Sequence, residues 1–437
     1  MSEKSYSVAV IGAGPAGLFG ARELANQGVR VALFNRDIKP GGLAEYGIYP
    51  EKHMMKEGLR KQFRGAIDNA NLEYYGNIVV GDNGDITLDE LRGLGFDAVL
   101  VSAGAQGTKW LGLPGEELEG VYHAKEVVYA YNNLPPYSQK NFRFGKRCAI
   151  IGAGNVMVDV ARHLINVQKV DEVIAVVRRG PNEVNFTKEE MKHLISYLDL
   201  DEFENEMARV QPVAQAVNQD LETGRQKVLD SLAKADPKTS NAKFHFDFLA
   251  SPTAMFGENG ALTQLEVEDN ILTEKDGKIS AKGTGVKRTI NVDTVIFAIG
   301  DKVDESFGLP TQWNEFIKNK EPHFPVDGIS YESTIDGVFV GGWSRKASEG
   351  LVGYARKDGT NAARAVWDYL QTIQPANASM DDVTEKMRGL NKPVIMKDDI
   401  KRLEAVEAEE AKKRGLVEFK FSSNEEMLEA MELIETA

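Results

Sequence analysis

The sequence predicts an α/β chain organised as two units, each built on a parallel sheet. Three observations carry that expectation. A short apolar strand, a glycine turn and an amphipathic helix follow one another over residues 8–25. The same succession returns over residues 147–165. Further short apolar runs, FDAVLVS at 96–102, EVIAVV at 172–177 and TVIFAIG at 294–300, supply strands that suit the interior of parallel sheets.

Each element of the opening unit has a physical reason. Val8, Val10 and Ile11 make a buried strand, and Gly12-x-Gly14-x-x-Gly17 follows at once. Residues 16–25 carry helical apolar spacing, and Val31-Ala-Leu-Phe34 gives a second buried strand. Gly12 permits the turn, Gly14 lets a pyrophosphate approach the backbone, and Gly17 lets the helix pack close to the strand. The helix N-terminus offers unpaired N–H groups to phosphates. In this setting the glycines read as a dinucleotide site rather than an ordinary turn. The strand after the helix ends at Asn35, where an acid usually holds the ribose hydroxyls. An asparagine can still hydrogen-bond a ribose, with less charge assistance.

At 437 residues there is room for two or three domains, and 42% apolar with 27% charged residues is an ordinary globular balance. No apolar run approaches the roughly 18 residues of a membrane span, so no membrane insertion is expected. MSEKSYS enters the first strand directly, so neither a secretory signal nor a transit peptide is expected. A net charge of −14 argues against nonspecific nucleic-acid binding. The single cysteine, Cys148, excludes a disulfide framework, a CxxC pair and a cysteine-ligated iron–sulfur cluster, and its apolar strand reads as a buried thiol. None of the six histidines pairs at a metal-ligand spacing, so no metal site is expected. The expected compartment is the cytoplasm.

Along the chain, GGLAEYGIYPEKHMMK at 41–56 is a loop before a helix. Met55, Leu59, Phe63 and Ile67 mark its inner face, and Lys56, Arg60 and Arg64 an outer basic stripe, either a solvated face or a docking patch for an acidic protein. In the second unit Gly152-Ala-Gly154-Asn155-Val156 repeats the turn, and the next strand ends in Arg178-Arg179 instead of an acid. Two guanidinium forks suit a ribose 2′-phosphate and favour NADP over NAD, against the plain alternative of two solvated arginines. Residues 196–243 read as a helical surface excursion. Near the end, Gly341-Gly342-Trp343 and Gly350-Leu351-Val352-Gly353 precede a helix, whose N-terminus can receive an electron-rich ring. The expected domains are therefore 1–107 with 331–437, including a charged tail from about 376, and 108–330.

The motifs IGAGPAG, PGGL, VSAGA, GLPGEELEGV, IGAGNVMVDVAR, RRGPNEVNFTKEEM, GGW and EGLVG run nearly the whole chain. Together they resemble the adrenodoxin reductase-type ferredoxin–NADP reductases. The arginine pair followed by FTxxE is the most distinctive of them. The small subunit of glutamate synthase shares this core but carries N-terminal cluster-binding cysteines, which this chain lacks. The resemblance implies two Rossmann-like domains for FAD and NADP in a glutathione reductase-like two-domain flavoprotein. It implies FAD contacts at Gly12, Gly14, Pro15, Ala16, Gly17, Asn35, Arg36, Gly42, Leu43, Val80, Gly104, Trp343 and the Gly350-Leu351-Val352 turn. For NADP it implies Gly152, Gly154, Asn155, Val156, Arg178, Arg179 and Glu190.

Three positions depart from the family. Asn35 replaces a glutamate at the FAD ribose, Lys52 replaces the histidine of a PDHP motif with His53 one place later, and His193 replaces a glutamate one turn beyond Glu190. Lys52, His53 and His193 are the candidate catalytic positions, because the family lines its flavin–nicotinamide site there. The implied chemistry is hydride transfer from NADPH to FAD, then single electrons to a small acidic ferredoxin-type carrier. Rivals keep the flavin with a quinone, a flavodoxin or a larger electron-transfer complex as acceptor, or make it a non-catalytic structural flavin. The paired arginines argue against the last.

Overall fold

A computed structural model describes residues 5–376 and 378–435. The start of the expected first domain at 1–4, residue 377 and the tail's end at 436–437 lie outside the described residues. The chain divides into two compact units. Met1–Thr108, Tyr129–Gln139 and Gly300–Ala437 make one; Lys109–Val128 and Lys140–Ile299 make the other.

In the first unit five parallel strands lie in the order Val338–Val340, Ala98–Val101, β1 (Ser7–Ile11), β2 (Arg30–Asn35) and Leu72–Gly76. β1 is buried along its whole length because both faces of the sheet are covered, which is why its sequence is apolar without alternation. On one face α1 (Pro15–Asn26) and the long helix Val352–Leu370 enclose Leu18, Leu24, Leu33, Leu100 and Val366. On the other, Phe34, Tyr75 and Val340 share a core with Phe307 and Phe316. That second core corrects the expected boundary at 331. Residues 300–330 supply its aromatic side chains, and Asp301–Lys302 pairs with Gly107–Thr108. Tyr129 and Leu134 likewise draw 129–139 into this unit by packing on Tyr46.

The helix α3 (His53–Ile67) buries Phe63 and Ile67 as expected, but its inner face is turned from the expected one. Met55 is 58% exposed, whereas Lys56 is 1% exposed. Lys56 Nζ donates to Asn132 Oδ1 at 3.2 Å. Arg60 pairs with Glu45 and Glu418, and Arg64 with Glu57 and Glu404. The stripe Lys56, Arg60 and Arg64 is thus not a free docking surface. Two of the acids that neutralise it, Glu404 and Glu418, come from the helix Lys397–Arg414 and the chain just after it, more than 300 residues away, beyond the reach of periodicity. Within the charged tail that helix has a buried side, made by Ile400, Leu403, Glu407 and Ala411.

The second unit repeats the plan, with parallel strands ordered Val121–His123, Thr294–Phe297, Arg147–Ile151, Glu172–Val177 and Lys243–Phe248. The excursion holds the helices Leu200–Gln215 and Leu221–Leu229. A three-stranded antiparallel sheet, Ala250–Glu258, Ala261–Lys275 and Lys278–Asn291, is an addition the sequence reading did not assign. Cys148 is buried, and desolvation pushes its thiol up to about 12, consistent with an inert side chain. Among the described residues no helix is long and apolar enough to cross a membrane, and no cluster of His, Cys, Asp or Glu could hold a metal ion.

Candidate dinucleotide sites

The first glycine turn is shaped by its own neighbours. Gly12 has φ +99°, and a Cβ there would stand 2.4 Å from the Ser102 carbonyl oxygen. A Cβ on Gly17 would stand 1.8 Å from the Gly12 carbonyl oxygen. Gly14 differs, because a Cβ would meet nothing within 4 Å. Two glycines are required by the fold, and the third borders open space at the start of α1. Pro15 opens that helix, no side chain caps it and no acid sits in its first turn, so its first N–H groups face an anion site. These features fit the pyrophosphate of a dinucleotide. Ala16 also backs onto the long helix Val352–Leu370, where Gly359 allows backbone contact.

Asn35 is not set up as the ribose ligand expected of it. It is buried, its Oδ1 accepts from Ala13 N at 3.0 Å, and its Nδ2 donates to the carbonyls of Asp37 (2.8 Å) and Lys39 (3.0 Å) and toward Tyr74 Oη (3.2 Å). An acid could not make the donor bonds, so here the amide fastens the end of β2 to the following loop. Arg36 pairs with Asp37 at 2.9 Å and donates to Gln106 at 2.9 Å, and the carboxylate raises its pKa further. Gly42 and Leu43 lead into α2 (Leu43–Tyr46), Val80 is buried and bridges to Ile86, and Gly104 takes φ +74° after the strand Ala98–Val101.

The glycine–tryptophan turn is braced by a pair that sequence reading missed. Asp358 Oδ2 accepts the Gly342 N–H at 2.6 Å and is itself held by Arg345 Nε at 3.0–3.2 Å, both side chains being buried. A signal was available: Asp358 is the one charged residue among the buried positions of its helix, which are otherwise small, apolar or, at Asn361, neutral. Trp343 Nε1 donates to the Glu349 carbonyl at 2.9 Å. Gly350 takes φ +74°, and a Cβ there would stand 2.5 Å from Tyr354 Cβ, so the chain's own packing already demands glycine. Leu351 is exposed and Val352 half-buried at the start of the long helix.

In the second unit Gly152 has φ +133°, with a Cβ clashing at 2.4 Å with the Ala298 carbonyl oxygen, while Gly154 opens onto free space. The helix Asn155–Asn166 starts without a side-chain cap, and Val156 is exposed there. The loop after the strand is tied back to this turn, Asn185 N donating to the Ala153 carbonyl and Thr187 N to Asn155 Oδ1, both at 2.8 Å. Arg178 is exposed and Arg179 half-buried, and neither guanidinium makes a hydrogen bond or ion pair among the described residues. In a chain of charge −14, two adjacent unneutralised cations at a strand end are suited to an anion. Glu190 lies on the short helix that Thr187 caps.

The candidate catalytic positions fall in different units. Lys52 precedes α3 and His53 begins it in the first. The Nδ1 of His53 is buried without a hydrogen-bond partner among the described residues. His193 belongs to the second unit and its Nδ1 lies 2.6 Å from Asp236 Oδ2, a hydrogen bond that fastens the end of the helical excursion.

Residues 6–207 match the model of the pyridine nucleotide-disulphide oxidoreductases. Over these residues the chain is similar to that family. It is 27% identical to the NADPH-ferredoxin reductase FprA of Mycobacterium leprae over 84% of each chain. It is 28% identical to the mitochondrial NADPH:adrenodoxin oxidoreductase of Arabidopsis thaliana over 80% of this chain and 79% of that one. Its fold superposes on Mycobacterium tuberculosis FprA in complex with NADPH with a TM-score of 0.82 at 24% identity, covering 98% of this chain and all of the other. A thioredoxin reductase of Lactococcus lactis shares the fold more loosely, at TM-score 0.51 and 17% identity over 84% of this chain.

Proposed function

We propose that this protein is an FAD-dependent NADPH oxidoreductase that hands electrons singly to a small iron–sulfur protein. The observation that carries the reading is the unpartnered Arg178 and Arg179 pair beside an open glycine turn, in a chain that has a second such turn. FAD would be held at Gly12, Gly14 and the start of α1, with Gly42, Leu43, Trp343 and Gly350–Val352 as the further contacts the resemblance implies. When bound, it supplies the step from a two-electron donor to one-electron acceptors. The protein's residues supply placement. Gly154 and the uncapped helix would take the NADP pyrophosphate, and Arg178 and Arg179 its 2′-phosphate. His53 and Lys52 remain the proposed positions for proton handling, and His193 enters that role only by releasing Asp236. With its one thiol buried, the chain has no redox-active cysteine to carry electrons onward.

The acidic carrier needs a basic surface other than the occupied stripe on α3. Arg22, Lys61, Arg356 and Lys357 make no ion pair among the described residues, and Arg22 and Arg356 both lie 4.8 Å from the centre of the Phe19 ring. Reversing Lys61 and Arg356 should slow carrier reduction and spare dye reduction. The proposed compartment is a reducing one, the cytoplasm, supported by the lone buried cysteine.

The deciding experiment is anaerobic stopped-flow reduction of the purified yellow protein with NADPH and with NADH. Fast bleaching by NADPH, with little by NADH, is expected. Bleaching by neither would remove the reductase reading.

A further inference from the structure

The first unit contains a buried charge cluster that nucleotide binding does not call for. Glu45, on α2, is its centre. Arg60 grips its two oxygens at 2.7 and 2.6 Å, Lys420 approaches at 2.9 Å and Lys39 at 3.6 Å. Lys420 Nζ also donates to the Glu45 carbonyl at 2.7 Å and lies 4.8 Å over the Tyr46 ring. Glu407 closes on Lys39 and Glu418 on Arg60. Burial opposes the charge on Glu45, yet Lys39, Lys420 and Arg60 outweigh it and hold the carboxyl well below its usual range. The side chains around Glu45 are 18% exposed or less.

The cluster acts on a weak element. α2 has four residues, too few to be stable alone. It follows Gly41 and Gly42, which take φ +117° and +51°, and the Gly41 N–H donates to the Ala13 carbonyl of the first glycine turn at 2.7 Å. Buried ion pairs add little stability over apolar residues of the same size, whereas removing one partner is costly. Their presence around a short helix therefore points to geometry. Three of the groups, Glu407, Glu418 and Lys420, come from the C-terminal segment, outside both the sheet and the glycine turn.

We propose that the C-terminal segment is a working part of the flavin site, with Lys420 as a positioning residue that fixes α2 through Glu45, and Glu407 supporting it through Lys39. The Gly42–Leu43 backbone, against which FAD would rest, is thereby held in place. The inference rests on reading the first cradle as the FAD site.

The test uses the full chain with its flavin. Lys420→Met should weaken FAD binding about tenfold in reconstitution of the apoprotein and shift the visible flavin bands. KM for NADPH should stay unchanged, because the second unit is untouched, and Lys420→Arg should largely restore affinity and spectrum. If Lys420→Met does not fold, the isosteric Glu407→Gln is read in the same way, with a smaller change in the same direction expected. A folded variant with wild-type affinity and spectrum overturns the proposal. A wild-type protein that takes up no FAD overturns the flavin reading itself, so the wild-type control separates the two failures.

Discussion

The two glycine turns begin alike and end differently. In each, a Cβ on a left-handed glycine would stand 2.4 Å from a carbonyl oxygen of its own unit, and a second glycine opens onto free space before an uncapped helix. The divergence comes one strand later. In the first unit Asn35 is consumed by Ala13, Asp37 and Lys39, and the loop beyond it runs into a neutralising charge cluster. In the second, Arg178 and Arg179 remain unpaired among the described residues, at the head of a loop tied back through Asn155. One edge is complete without a ligand and the other lacks its counter-charge. The first arrangement suits a group that stays, and the second a group that exchanges.

The largest expected effect breaks the second edge. Hydrogen bonds to charged groups are each worth about 1.5–3 kcal/mol, so Arg178→Ala with Arg179→Ala should lower kcat/KM for NADPH by about a hundredfold or more. NADH turnover should change by no more than about twofold, since it has no phosphate for the forks to read. Equal losses with both nucleotides would show that the arginines serve the fold instead. Next in size is Asn35→Asp at the first edge. It removes the donor to two buried carbonyls, so a loss of about 1–3 kcal/mol in urea unfolding is expected, with no tighter FAD binding. If the aspartate instead tightens FAD binding at unchanged stability, the side chain at 35 faces the ribose and the contrast between the edges fails.

How much of this was legible follows from the range of each interaction. The glycine turns, their strands and Arg178-Arg179 are local signals, and the sequence contains all that is needed to read them. The antiparallel sheet was legible too, since Asp276-Gly277 between Lys275 and Lys278 is a strong hairpin turn signal. What could not be read was pairing across the chain. Arg60 and Lys56 looked solvated because the acid that meets both, Glu418, lies far along the sequence. Phe307 and Phe316 gave no hint of which sheet they would cover. Asn35 resembled a weakened ribose ligand because its role depends on the path of the loop at 37–39.

A smaller effect concerns pH and the second unit. His163, on the helix that begins at the second glycine turn, is pushed down to about 4 by burial, from an ordinary 6.5. The unfolded chain therefore takes up the proton first. Stability from this group is complete above about pH 6.5 and is lost as the pH falls toward 4. Urea midpoints at pH 7.5 and 5 should differ accordingly, and His163→Gln should shrink the difference. An unchanged pH dependence in that variant would place the acid sensitivity elsewhere.

The smallest effect separates the members of the cluster at the first edge. Four cations, Lys39, Lys56, Arg60 and Lys420, face three carboxylates that are 18% exposed or less, Glu45, Glu407 and Glu418, while the exposed Glu57 reaches only Arg60, at 4.0 Å, so the buried part of the cluster has one positive charge in excess. Lys56 is the natural candidate, at 3.2 Å from Asn132 and 3.7 Å from Glu418 without touching Glu45. Burial, and then repulsion from Lys420, push it down to about 8. The unfolded chain thus holds this proton more firmly, and stability from the group declines as pH falls from about 10.5 through 8. Lys56→Met leaves three charges against three, and its expected effect lies between neutral and a gain of about 1 kcal/mol, with a flatter profile above pH 8. Urea unfolding at pH 7 and 9.5 measures both. If Lys56→Met costs as much as Lys420→Met, the seven charges behave as one indivisible unit, and the special place given to Glu45 and Lys420 is wrong.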